Sequence, residues 1–138
     1  VGDCLSSNGA LALGEVRASL ALALAPAQAT DPDVLIDYPD TVTPPALVVV
    51  WDDPWLEQPR SMGPCVTIAN LVVLCVGSRI DAGAGIDQVE TLVAYAIDRL
   101  RSDPNSWPLA TTQSPREWVI SNVHYLGARL GYRVPVAV

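Results

Sequence analysis

The chain has 138 residues, half of them apolar, enough to fill one core and too many for a disordered chain. All eight basic residues are arginine, against eleven aspartates and four glutamates, for a net charge of -7. No basic run exists to neutralise phosphates, which excludes a free-standing nucleic-acid-binding domain and disfavours attraction to an anionic membrane surface.

Ala10–Ala25 is rich in Ala and Leu, but Glu15 and Arg17 interrupt it and no basic segment precedes it. That argues against a signal peptide, and the stretch is short of the ~20 apolar residues that cross a bilayer. At helical period Leu13, Val16, Leu20 and Leu24 form one stripe, predicting an amphipathic helix over 10–25, capped by Ser7 or Asn8 and stopped by Pro26. Residues 26–45 carry five prolines around Val34-Leu35-Ile36, which predicts a short edge strand over 34–38. Ala46–Trp51 is a continuous, largely β-branched run, expected as a buried strand. Asp52–Pro64, with three prolines and a glycine, reads as a functional loop.

Cys65–Gly77 is apolar on both alternating faces, as expected of a central strand covered on each side. A glycine-rich connection, Ser78–Gly85, leads to a helix with Ile86, Val89, Val93, Ile97 and Leu100 on its inner stripe. Asp87 and Glu90 stand at capping-box spacing. Residues 102–116 read as a proline-punctuated loop. Glu117–Leu126 and the stretch from Leu130 to Val136 alternate as two strands, with a turn or bulge at Gly127 and Gly131. The expected fold is α+β over 1–138 as a single domain. One mostly antiparallel sheet packs against an N-terminal helix (about 10–25) and one long central helix, with the sheet and central helix spanning 34–138.

Cys4, Cys65 and Cys75 are too few for a disulfide framework. Ten residues of strand would hold Cys65 and Cys75 about 33 Å apart, so buried free thiols are expected. Asp52-Asp53 and the acids at Asp31, Asp33, Asp37 and Asp40 are candidate metal carboxylates, but Asp-Pro pairs are ordinary turn formers and no Ca²⁺-loop pattern is present. His124 lacks a nucleophile motif, and the GAG at 83–85 lacks phosphate-loop spacing. Trp51 and Trp118 are expected in the core, whereas Trp55 and Trp107 fall in loops and suit interfaces. No catalytic, cofactor or metal residue is assigned.

The order of landmarks is more informative than any single motif. An N-terminal helix is followed by VLIDYPDTVTPPALVVVWDDPWLE, in which Tyr38-Pro39 leads through Pro44-Pro45-Ala46 into the Val48–Val50 strand. Next come LVVLCVGSRID, with its Gly77-Ser78-Arg79-Ile80-Asp81 turn, the helix IDQVETLVAYAIDRL, and finally WVISNVHYLGARLGYRVPV. This resembles the tail terminator proteins of long-tailed phages (siphophages) and related head–tail connector proteins over nearly the whole chain. The resemblance implies a structural, non-enzymatic virion protein without cofactors. Its copies would form a ring, expected to be a hexamer, that caps the head-proximal end of the tail tube and stops its growth. Implied partners are further copies, the tail tube protein and a head-completion or connector protein. Genome DNA passes through without specific binding, and no membrane is involved. The expected location is the head–tail junction of the virion, with assembly in the host cytoplasm. Candidate interface residues are Trp55, Leu56, Met62, Arg79, Ile80 and Asp81. A head-closure or connector subunit is the near alternative. A small acidic metal-dependent hydrolase or ligand-binding domain using Asp52, Asp53 and His124 is the distant one.

Overall fold

The computed structural model describes residues 11–26, 28, 31–36, 45–59, 66–79, 85–105 and 107–137. They form, in chain order, β1 (Leu11–Ala12), a 3-10 turn (Leu13–Glu15), α1 (Val16–Leu24), β2 (Asp33–Ile36), β3 (Ala46–Glu57), β4 (Thr67–Arg79), α2 (Gly85–Arg101), β5 (Leu109–Ile120) and β6 (Val123–Ala137). The class is α+β. One sheet runs β1-β6-β4-β3-β2. β5 pairs along β6 from Val123 to Tyr132, on the side where β1 meets Val136 and Ala137. β3–β4, β4–β6 and β5–β6 are antiparallel, and the two short strands, β1 and β2, are parallel to their neighbours.

β4 holds the middle of the sheet and is buried on both faces, which explains its unbroken apolar run. Ala69, Leu71, Val73 and Cys75 join Leu47, Val49, Leu130 and Tyr132 beneath the helices. Val72, Leu74 and Val76 join Ala46, Val48 and Val50 on the opposite face, where Ile120 and Tyr125 from the β5–β6 turn region pack with them.

The helices lie on one face. α1 buries Val16, Leu20 and Leu24 at i, i+4, i+8 and ends where Ala25, extended ahead of Pro26, leaves the helical region. Side chains of α2 finish it. The Tyr95 hydroxyl donates to the Leu24 carbonyl at 3.0 Å and the Arg99 guanidinium to the Ala25 carbonyl at 2.6 Å, so two carbonyls at the helix end gain partners.

Several expectations are corrected. The helix expected over 10–25 begins only at Val16, because Leu11–Ala12 is drawn into the sheet beside the end of β6 and Gly14 lies in the 3-10 turn. Its expected caps, Ser7 and Asn8, lie outside the described residues. The edge strand is Asp33–Ile36, and Asp37 and Tyr38 lie outside the described residues. The expected one long central helix does not stand. α2, 17 residues and about 26 Å long, lies on one face and shares it with α1, while strands of 12 to 15 residues, about 40–50 Å, are the long elements and β4 is central. The inner side of α2 is Val89, Leu92, Ala96 and Leu100, leaving Ile86 exposed and Val93 and Ile97 half-buried. Asp87 lies inside the helix and is not its cap.

The loop expected over 102–116 is largely strand β5. An edge strand bare on both faces shows no apolar alternation, and Pro115 is tolerated at a register shift between Gln113 and Arg116. The hairpin turns at Ser121 and Asn122, with φ of 50° and 66°, the two positive values of a tight I′ connection. β6 then runs through Gly127 and Gly131, the positions expected to turn or bulge, and the register shifts beside them fall on β4 and β5. Gly127 serves close approach instead: a Cβ there would lie 2.9 Å from the Trp118 ring and 3.0 Å from the Cys75 carbonyl oxygen.

Candidate interaction surface

β3 does not end at Trp51 as its apolar run suggests. Trp51 stands opposite Leu71 and Leu56 opposite Ala69, so four residues, Asp52–Trp55, face Asn70 alone. The result is a wide bulge carrying a cis Asp53–Pro54 peptide. Its chemistry follows from its sequence, since proline cannot donate to the ladder and the two aspartates prefer water or a cation.

Asn70 plugs the bulge. Only 6% exposed, it donates from Nδ2 to the Pro54 carbonyl at 2.9 Å and to Glu57 Oε1 at 2.5 Å. The Asp53 amide donates to Asp52 Oδ1 at 2.8 Å, and the Asp52 carboxylate pairs with Arg129 of β6. Glu57 reaches Arg133 at 3.7 Å, and Gln58 donates to the Thr67 hydroxyl at 3.3 Å. These polar contacts hold the bulge in one shape, so Trp55, 46% exposed, is presented from a braced base. Its ring lies 5.3 Å from that of Trp51, tilted by 49°, and the Arg17 guanidinium of α1 sits 5.5 Å over Trp51.

The expected interface residues that are described, Trp55, Leu56 and Arg79, do not share one place in the fold. Trp55 is on the bulge, while Leu56 turns inward and packs against the core beneath the helices. Met62, Ile80 and Asp81 lie outside the described residues. Arg79 ends β4 beside Tyr125. Ten residues of strand separate it from Ala69, about 33 Å from the bulge end of the sheet. Trp107, expected at an interface, is instead core, with its indole N–H donating to Asp103 Oδ2 at 2.8 Å. Its position between Pro104 and Pro108 reads as a loop and hides the burial.

Nor are Asp52, Asp53 and His124 gathered. His124 pairs with Glu117 across the β5–β6 hairpin, five residues along β6 from Arg129, about 17 Å. Among the described residues no three His, Cys, Asp or Glu side chains cluster to hold a metal. Asp31 and Asp103 accept backbone N–H groups of their own turns, as turn-forming acids do. Cys75 is a buried free thiol whose pKa burial pushes up to about 12. No helix among the described residues is long and apolar enough to cross a membrane.

The sequence reading missed most of the exposed apolar residues. Besides Trp55, large apolar side chains stand in solvent at Leu22, Ile36, Ile86, Leu109 and Val119. Leu22 was detectable as a leucine off the buried stripe of α1. Leu109 and Val119 carry no signal in the sequence, because only the pairing of β5 with β6 fixes which way their side chains face. Compared with known proteins, the chain matches no family model and no curated protein.

Proposed function

We propose that the chain is a structural subunit of the tail-terminator type, assembling into a ring that caps the head-proximal end of a phage tail tube and joins it to the head connector. The landmark order along the sequence motivates this reading. The observation that carries it furthest is the distribution of exposed apolar residues. Leu22, Ile36, Trp55, Ile86, Leu109 and Val119 are spread over sheet edges, helix exteriors and the bulge. That arrangement suits a subunit contacted from several sides. The two-layer fold, long strands and braced bulge suit rigid association, and a net charge of -7 suits the wall of a passage that must not grip DNA. A head-closure or connector subunit would share these features, and its place in the particle separates it, because a terminator touches the tube directly.

The test is direct. Mixed with tail tubes, the chain should bind one end and halt elongation, as seen by electron microscopy of tube lengths. Trp55→Ala should weaken that binding at least fivefold while moving the unfolding midpoint of the isolated subunit little. A chain that stays monomeric and has no affinity for the tube would overturn the reading.

A further inference from the structure

α1 and β2 lie on one flank of the sheet, and β5 lies on the other. The two flanks are unlike. On the first, α1 is apolar on almost every side. Its outward surface shows Ala18 and Leu22, with Leu22 76% exposed, although a helix apolar all round is normally buried. Beside it β2 has no strand beyond it among the described residues. Val34 packs toward the helices and Leu35 toward the opposite face, so Ile36 stands exposed on the helix side.

On the second flank, β5 has no strand beyond it among the described residues, and every side chain from Leu109 to Glu117 is exposed. The helix layer stops short of it. Between α2 and β5 lies an open groove of about 550 Å³, walled by Val89 and Val93 on one side and Thr112 and Pro115 on the other, with Ala128 and Leu130 as its floor. Leu109 lies on the helix side, where it lines a hollow with Ile97 and Leu100. Val119 alternates with Trp118 and Ile120, which pack on the opposite face, so it too points to the helix side.

We infer that the α1–β2 flank of one copy docks onto the β5 flank and groove of the next, a head-to-tail interface between copies of this chain. Four of the six exposed large apolar side chains belong to these flanks, Leu22 and Ile36 to one, Leu109 and Val119 to the other. Each flank supplies what its opposite lacks. One has an apolar helix and a short strand, and the other has a long bare strand beside a groove that no helix fills among the described residues. The size is adequate only with the rest of that first edge included. α1 and β2 are each about 13 Å long, but β3 continues the edge past Val49 to Glu57 among the described residues. Both flanks are thus about 40 Å long and two layers, about 20 Å, deep, roughly the 800 Å² per partner of a stable interface. Because the flanks differ, the contact is heterologous, and repeating it closes a ring or extends without end. The inference rests on the ring reading above and assigns the surfaces that would make the ring.

Light scattering on size-separated protein tests it, using Leu22→Asp and Ile36→Asp on the first flank and Leu109→Asp and Val119→Asp on the second. All four residues are exposed, so unfolding midpoints should stay near that of the unmodified chain. The unmodified chain should be larger than a dimer, and each variant alone should lose self-association at least tenfold. An equimolar mixture of a first-flank and a second-flank variant should give dimers and nothing larger, because one sound pair of flanks survives. Flank variants that assemble like the unmodified chain, or a mixture that stays monomeric while the unmodified chain forms rings, would overturn these flanks and leave the ring reading standing. An unmodified chain that never self-associates would overturn both. Rings that need these flanks but ignore tail tubes would overturn only the terminator reading.

Discussion

β4 and β5 both pair with β6 and are nearly equal in length, 13 and 12 residues, yet their environments are opposite. Every described side chain of β4 from Thr67 to Val76 is buried, those from Leu71 on in one of two clusters, whereas β5 is exposed along all but its last turn-proximal residues. Hydrophobic burial places β4. β5 is placed by its ladder to β6, the Ser121-Asn122 turn and the fit of Trp118 over Gly127. The indole N–H of Trp118 donates to the Gly127 carbonyl at 3.1 Å and Arg116 stacks 4.3 Å over its ring, so one anchored end carries a long arm. Two strands of one sheet can therefore differ in what holds them: one stabilises the subunit, and the other is positioned by it.

The largest expected effect concerns the buried side of this contrast. Burial pushes both the Cys75 thiol and the Tyr132 phenol up to about 12, the latter helped by its proximity to Cys75. Each group stays protonated in the fold while its unfolded counterpart ionises near 9.0 or 10.0. The associated stability is therefore fully present below about pH 9 and is lost as pH rises toward 12. Between pH 8 and pH 11 the free energy of unfolding should fall by on the order of 4 kcal/mol. Urea titrations at a series of pH values check this, and Cys75→Ala should flatten the lower part of the slope. An unchanged slope would mean that the sheet centre admits water.

Next in size, Leu71→Ala, at a fully buried position of β4 facing the helices, should cost about 3 kcal/mol in urea unfolding. Gly127→Ala follows at ~1–3 kcal/mol, because the new methyl meets both the Trp118 ring and the Cys75 carbonyl oxygen, and backbone cannot step aside. Gly131→Ala should cost less, since its obstacle is the Thr111 hydroxyl, the end of a side chain that can rotate, and Thr111→Ala should rescue it. If both glycine variants cost the same, Trp118 is not the anchor of β5.

The contrast also explains what could be read in advance. β4, the apolar start of β3 and the buried stripe of α1 were legible because burial imposes composition: runs apolar on both faces for a central strand, i, i+4 spacing for a helix. The β3 extension through Asp52–Glu57 was not legible, because its register is kept by Asn70, a side chain on another strand. β5 was hidden for the reverse reason: nothing buries it, so nothing constrains its residues beyond tolerance of an edge. The turn was misplaced because glycine usually marks turns, whereas here Ser121-Asn122 takes the positive φ values and the glycines make room for neighbours. For the candidate surface, Trp55 was legible as an exposed aromatic in a proline-rich segment. The two flanks were not, because an edge is a property of the assembled sheet.

The smallest expected effect is the most discriminating. Thr112→Ala and Gln113→Ala, at exposed positions of β5, should leave the unfolding free energy of the isolated subunit within about 0.5 kcal/mol of the unmodified value. Amide hydrogen exchange should agree: with no strand beyond β5 among the described residues, its outward amides should exchange orders of magnitude faster than those of β4, which are flanked by β3 and β6. Should either substitution cost more than 1 kcal/mol, or β5 exchange as slowly as β4 in the isolated subunit, β5 belongs to the folding core and its exposure has another cause. If instead protection of β5 rises only on self-association, the strand that adds little to the fold is the one the assembly uses. That separation lets a subunit fold completely before it has a neighbour.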